Sequence, residues 1–206
     1  MRLYAAPGCG SALAEIALDW AGVDYETIWL TWEEVQARSH AGLLAANPLH
    51  QVPTLVLDDG RILTESAAIV LWLDGLHPNA GLLPASDSHR RAHALRWLLF
   101  MVTTLYPTFS YGDFPARYVS DEAAQRELVA STKSKRKACW KQLDEAALVP
   151  WFCGDEPSML DGYIAVMSHW TPKRPWFTQN APRLYAIAER ADALGQVAPT
   201  MQRNYA

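Results

Sequence analysis

Two short stretches of this chain carry groups suited to holding a small zwitterionic peptide. Glu65 and Ser66 stand side by side where a helix is predicted to begin. The free N–H groups of a first helical turn form its positive end and suit a carboxylate, and the Glu65 carboxylate suits an ammonium. The pair therefore fits an amino-acid head group, both charges at once. Upstream, Gln51-Val52-Pro53 precedes the apolar run Leu55, Val56, Leu57. Proline has no N–H to give to a strand ladder, and X-Pro is the one peptide bond with an appreciable cis population. A cis bond into Pro53 turns the N–H and C=O of Val52 outward, where an extended peptide can bond as an added strand.

Other patterns are weaker. Gly8-x-Gly10 sits in a strand-turn-helix setting, but Leu13 stands where a dinucleotide fingerprint needs its third glycine. No dinucleotide is expected. His89 and His93 have i, i+4 helical spacing without a carboxylate or further ligand, so they are expected to be an exposed pair, with no metal site. Ser158-x-x-Asp161 is a capping-box variant, and Asp161 is expected to hold backbone N–H groups rather than to catalyse.

The elements that must position these groups follow from periodicity and turn chemistry. Residues 2–5 form a short strand, Pro7-Gly8-Cys9-Gly10 turns the chain, and Ser11 to Trp20 is helical with Leu13, Ile16, Ala17 and Trp20 on one face. Tyr25 to Leu30 is a second strand, parallel to the first because a helix separates them. Thr31 to Ala46 is polar, a short helix or loop. Asp58-Asp59-Gly60 then turns a hairpin, with Ile62 and Leu63 on its return, and Ser66 caps a helix to about Leu76. This β-α-β-α-β-β-α order is thioredoxin-like. Beyond the breaker His77-Pro78-Asn79-Ala80-Gly81 no strand pattern occurs. Helices are predicted over Ser88–Leu105, ended or kinked by Pro107, over Asp121 to about Leu148, from Ser158 to about Trp170, and from Pro182 to about Leu194. The expected fold is an α/β thioredoxin-like domain (1–78), a linker (79–86) and an all-α helical domain (87–206).

Asn47-Pro48, Gln51-Val52-Pro53, the Asp-Gly turn and Glu65-Ser66-x-Ala-Ile together resemble the glutathione-binding half of the cytosolic glutathione transferases. The Leu3-Tyr4-x-x-Pro7-Gly8 start and the helix closing on Ala21-Gly22-x-Asp24-x-Glu26 resemble the bacterial beta class in particular. The resemblance spans the chain and implies an enzyme that activates the thiol of glutathione for attack on a small apolar electrophile, a detoxification chemistry. It implies glutathione as co-substrate and a homodimer in which the Ser66 and Ser88 helices meet across the two-fold. Gly10, Gln51, Val52, Pro53, Glu65 and Ser66 are then the glutathione-binding candidates.

A free thiol is mostly protonated at neutral pH, so such an enzyme must favour the thiolate with a helix N-terminus and aimed donors. The Pro7–Ser11 turn supplies both. The beta-class catalytic cysteine falls on Gly10, which has no side chain, so Cys9 is the first candidate and Ser11 the second. If Cys9 touches the ligand sulfur, a glutathione-dependent thiol-disulfide reductase is the competing enzyme. A non-catalytic glutathione-binding or assembly module is the other alternative. Tyr4 lies too early to match the tyrosine of the mammalian-type classes. His50 and Leu49 depart from the lysine-glycine often found before Gln-Val-Pro, which leaves Trp32 and Arg38 as candidates near the terminal carboxylate. Among Trp97, Phe100, Met101, Tyr106, Tyr111 and Phe114, the residues around the Pro107 break have freedom to face a cleft, so Tyr106 and Tyr111 are the acceptor-pocket candidates.

Composition sets the outer bounds. The 206 residues are half hydrophobic and 19% charged, a globular balance, with no apolar run long enough to span a membrane. The first twenty residues are broken by Pro7, Gly8 and Gly10 and carry Glu15 and Asp19, which does not fit a signal peptide. Cys9, Cys139 and Cys153 are too few and scattered for a disulfide framework, so a cytoplasmic location is expected. The net charge of −4 argues against nucleic acid, and the basic run Lys133 to Lys141 is expected on a solvated helix face.

Overall fold

Strand β1 (Arg2–Ala5) shows how the sheet divides its two faces. Leu3 and Ala5 enter the main core while Tyr4, pointing the other way, joins a smaller cluster with Leu30 and Leu43. The structure, a computed structural model, describes residues 1–205. From β1 the chain turns into α1 (Ser11–Ala21), which Gly22 closes in the left-handed conformation (φ 66°). Strand β2 (Glu26–Trp29) then returns parallel to β1, Arg2 facing Glu26 and Ala5 facing Trp29.

The segment from 31 to 46 holds two short helices, α2 (Trp32–Ala37) and α3 (Ala41–Ala46). Thr31 and Glu34 form a reciprocal capping box at the start of α2, and the His40 ring accepts from the Leu43 N–H at the start of α3. Strands β3 (Thr54–Val56) and β4 (Ile62–Thr64) form the hairpin, Leu55 opposite Leu63, and β3 runs antiparallel to β1. The sheet order is β2-β1-β3-β4. Helix α4 (Ser66–Leu76) comes next and packs with α1 on the main-core face.

The remainder is helical, and it corrects the predicted ends. The first long helix is α5 (Arg90–Phe100), after which Met101–Leu105 forms a π-helical turn rather than continuing as α-helix. Pro107 begins a new helix, α6 (Pro107–Asp113), where its missing N–H costs nothing. Helix α7 (Glu122–Ala146) carries its lysines outward, but Arg136 of the basic run is buried. Its guanidinium lies 3.9 Å from the Phe109 ring centre and donates to the Thr108 carbonyl at 2.5 Å. Helix α8 (Met159–Met167) is buried along its whole length and stops short of Trp170. Asp161 caps it as expected, accepting from the N–H groups of Phe152 (2.8 Å) and Ser158 (2.7 Å). His93 is not an exposed partner of His89: its ring sits against Trp97 and Phe152.

Helix α10 (Pro182–Asp192) ends two residues before the expected Leu194. Besides α6, two helices were not legible in the sequence, α9 (Arg174–Asn180) and α11 (Ala198–Tyr205). Both are short, and long-range contacts hold them in place. Arg174 pairs with Asp192, while Arg203 and Asn204 of α11 reach Glu15 and Asp19 of α1 at 3.0–3.2 Å. Glu15 is fully buried, and these partners answer its charge.

Candidate active site

The sheet's hairpin end, the starts of α1 and α4, and helix α6 surround one cavity of about 780 Å³. Gly10, Gln51, Val52, Pro53, Glu65 and Ser66 line it on one side, with Cys9 among them, and Tyr106, Tyr111 and Phe114 face them from the helical half. Trp97 and Met101 are buried in the core instead, with Phe100 packed against it.

The Val52 edge is held open by its flank. The Asn47 side chain donates to the Gln51 carbonyl (3.2 Å) and the Thr54 hydroxyl (3.1 Å), and the Thr54 hydroxyl donates to the same Gln51 carbonyl at 2.7 Å. The Val52–Pro53 peptide is cis. Neither the N–H nor the C=O of Val52 has a hydrogen-bond partner among the described residues. The His50 ring is buried between the carbonyls of Val35 and His40, at 3.3 Å from each. Trp32 and Arg38 line the cavity, the latter donating to the Pro48 carbonyl.

Ser66 does not cap α4 with its side chain, contrary to the sequence expectation. It is the first helical residue, and Glu65 occupies the cap position with φ 62°, a left-handed conformation that a non-glycine residue adopts only under constraint. The first intrahelical bond runs from the Ile69 N–H to the Glu65 carbonyl (3.0 Å), which leaves the N–H groups of residues 66–68 at the open end. The Ser66 hydroxyl instead accepts from Tyr163 of α8 at 2.7 Å. Burial pushes the Tyr163 hydroxyl well above the usual tyrosine range, so it stays a donor. The Ser66 proton is thereby directed elsewhere.

The turn before α1 is fastened from the far end of the chain. Gly8, at φ 72°, gives its N–H to the Asn204 side chain (3.0 Å) and accepts from the Trp170 indole (2.9 Å). Of the two sulfur-activation candidates, Ser11 is not at the cavity. It is fully buried, its hydroxyl accepting from the Ala6 N–H (3.1 Å) and donating to the Ala6 carbonyl (3.0 Å). Cys9 does reach the cavity wall, but its thiol is turned to the Ala6 carbonyl at 3.0 Å, with the Ser11 hydroxyl 3.3 Å away. Burial raises that thiol's pKa, and hydrogen bonds from Ser11 only partly oppose this. Gly10 precedes α1, and its N–H has no acceptor among the described residues.

The helical wall is aromatic. Trp32 and Phe114 approach across the cleft with ring centres 6.3 Å apart, Arg117 lies 4.3 Å over Phe114, and Tyr111 meets Tyr118 edge-on at 4.7 Å. Tyr163, Trp170 and Asn204 support the site from behind and were not anticipated. No local spacing marks them, since their partners lie 97 to 196 residues away.

Comparison with known proteins finds both similar sequences and a similar fold. Residues 3–81 match the profile described as the N-terminal domain of glutathione S-transferases. The chain is 31% identical over 205 residues to the uncharacterized GST-like protein YncG of Escherichia coli K12, covering 99% of this chain and 98% of that one. It is 28% identical to the glutathione S-transferase GstA of Escherichia coli O157:H7, over 98% of this chain and 92% of the relative. Among solved structures, a sphingomonad glutathione S-transferase complexed with glutathione is similar at TM-score 0.76 and 27% identity, with 98% of each chain covered.

Proposed function

The chain belongs to the glutathione S-transferase family, and on that premise we propose that it conjugates glutathione to a small apolar electrophile at the cavity between its two halves. The observation that carries this reading is convergence. An unpaired strand edge at Val52, a carboxylate beside a helix start at Glu65 and Ser66, and a second helix start at Gly10 face one cavity with an aromatic far wall.

In this reading residues 1–78 hold the tripeptide. The Val52 backbone pairs with it as an added strand, with Gln51 and Pro53 flanking that edge. The Ser66 hydroxyl and the α4 N–H groups receive its α-carboxylate, and Glu65 its ammonium. The sulfur comes to the α1 terminus, where the Gly10 N–H and the helix dipole favour thiolate over thiol, the proton leaving to solvent. The sulfur electron pair then forms a bond to electrophilic carbon while a leaving group departs with its own pair. Tyr106, Tyr111 and Phe114 shape the acceptor side. No feature of the site favours the reductase or the non-catalytic module. A nucleophilic cysteine needs a lowered pKa, and that of Cys9 is raised. We further place the protein in the cytoplasm as a homodimer, in keeping with exposed Leu71 and Leu76 on α4 and Leu99 on α5.

The test is a calorimetric titration with glutathione, paired with a conjugation assay on wild type and Cys9→Ala. Saturable binding and rate enhancement are expected, with the variant keeping most of its conjugation rate. Absence of glutathione binding at millimolar concentration would sink the proposal, and loss of all turnover in Cys9→Ala would restore the cysteine to the chemistry.

A further inference from the structure

We propose that the electrophile conjugated in this cavity carries a carboxylate on a planar, ring-sized apolar body, and that Arg117 of the helical half recognises that carboxylate. The proposal rests on the reading that this cavity binds glutathione, and it names the class of the second substrate.

Charge is the first reason. Among the described residues that line the cavity, Glu65 is the only carboxylate, and Arg38 and Arg117 are the only arginine or lysine side chains. Glutathione brings one ammonium and two carboxylates. Glu65 answers the ammonium, and Ser66 with the open N–H groups of α4 answers the α-carboxylate. Arg38 stands on the tripeptide's side, where it donates to the Pro48 carbonyl upstream of Gln51, and it suits the glycine carboxylate. Arg117 is left over on the opposite wall, a cation in the cavity that the tripeptide does not match.

The second reason is how Arg117 is held. A single 3-10 turn, Pro115–Arg117, follows α6 and brings the guanidinium carbon 4.3 Å from the centre of the Phe114 ring. Contact with a ring face spends no N–H group, and the Arg117 side chain has neither an ion pair nor a hydrogen bond among the described residues. A planar fork restrained in this way keeps its N–H groups for a carboxylate, which it can grip through two parallel bonds. Arg136 makes the contrast. It lies over Phe109 in the same way, but it is buried and gives its N–H groups to Thr108.

The third reason is span. Helix α6 carries the wall from Tyr106, whose hydroxyl stands before Gly10, to Phe114 and Arg117. Its seven residues make it about 10 Å long, the order of one aromatic ring with a carboxylate opposite the reacting carbon. Trp32 meets Phe114 across the cleft beside this path, with ring centres 6.3 Å apart. In the reaction the glutathione sulfur, its proton lost to solvent, forms a bond to the ring carbon, and the leaving group departs with its electron pair. The carboxylate is held by Arg117 and is not consumed.

The test compares two acceptors, a chlorodinitrobenzoate with chlorine para to the carboxylate and flanked by both nitro groups, and the neutral primary amide of the same acid. Each enzymatic rate is divided by the rate with glutathione alone, which removes the difference in intrinsic reactivity. Wild type is expected to favour the benzoate about five- to tenfold in kcat/KM, chiefly through KM, and the preference is expected to shrink as salt is added. Arg117→Gln abolishes the preference and Arg117→Lys keeps part of it, while kcat/KM for the amide and affinity for glutathione stay at their wild-type values. Equal corrected rates for the two acceptors in wild type overturn the proposal, and so does a preference that survives in Arg117→Gln. Weakened glutathione binding in Arg117→Gln also overturns it, because Arg117 then belongs to the tripeptide. A wild-type protein that binds no glutathione overturns the glutathione reading itself, an outcome that no Arg117 variant can produce.

Discussion

Replacing Ser66 by alanine separates a ligand contact from a structural one at the same atom. The Ser66 hydroxyl accepts from Tyr163 at 2.7 Å, so its own proton is free for a carboxylate at the α4 start. A hydrogen bond to a charged group contributes about 1.5–3 kcal/mol, or roughly ten- to 150-fold in Kd. Ser66 is only partly buried and the α4 N–H groups remain, so the lower end applies: glutathione should bind about ten- to thirtyfold more weakly. The same change strips the buried Tyr163 hydroxyl of its acceptor, which costs about 1–3 kcal/mol of stability. Calorimetric titration and urea denaturation measure the two effects apart. Adding Tyr163→Phe to Ser66→Ala should recover stability without recovering affinity, because the phenol is then no longer stranded. Glutathione with its α-carboxylate converted to an amide should lose affinity for wild type and lose much less for Ser66→Ala. If Ser66→Ala binds glutathione with wild-type affinity while melting earlier, Ser66 is only a seat for Tyr163 and the clasp is misassigned.

Trp170→Phe deletes the indole donor to the Gly8 carbonyl while keeping an aromatic body beside Tyr106. At about 1 kcal/mol for the lost bond, it should lower the melting temperature by roughly 2–4 °C and kcat/KM about fivefold. Unchanged kcat/KM would mean that the turn holds itself. Asp161→Ala leaves the buried N–H groups of Phe152 and Ser158 unpaired and should cost about 2–5 kcal/mol in urea denaturation, a large share of a domain's stability. Its size falls toward the lower end because the burial that penalises the carboxylate is relieved at the same time. The pH dependence has a definite sign. Burial pushes the Asp161 carboxyl up to about 6, so between the ordinary carboxylate value and about 6 the folded protein holds more protons than the unfolded one. Stability from this group is present in full below that window and declines as pH rises through it, and Asp161→Asn should flatten that slope. A slope unchanged in Asp161→Asn would assign it to another group.

Most of the first half was legible because its signals are local. A proline beside an apolar run, an Asp-Gly turn and a polar pair before a helix each act within a few residues. The hairpin with Leu55 opposite Leu63 and the α4 bounds at Ser66 and Leu76 follow from them. Periodicity located α5, α7 and α10 but misjudged their ends, since a helix stops where packing stops. The π turn at Met101–Leu105 and the short α9 and α11 carry no such pattern. The two short helices are held by partners distant in sequence, α9 through Arg174 and Asp192 and α11 through Arg203 and Glu15.

The candidate site divides along the same line. Residue types and spacing alone marked an open strand edge at Val52, a carboxylate and hydroxyl at the α4 start in Glu65 and Ser66, and the missing side chain at position 10. Which polar groups near the α1 start stay free was decided only by tertiary structure. Cys9 and Ser11 are as close as any residues to the α1 start along the chain, yet the turn consumes their polar atoms internally. Tyr106, nearly a hundred positions later, meets the α1 start: its hydroxyl lies 2.5 Å from where a Cβ on Gly10 would be, and Trp170 packs edge-on against its ring. Hydrogen bonds within a turn can be read from adjacent letters, but a group brought from a distant helix depends on how the shared core packs.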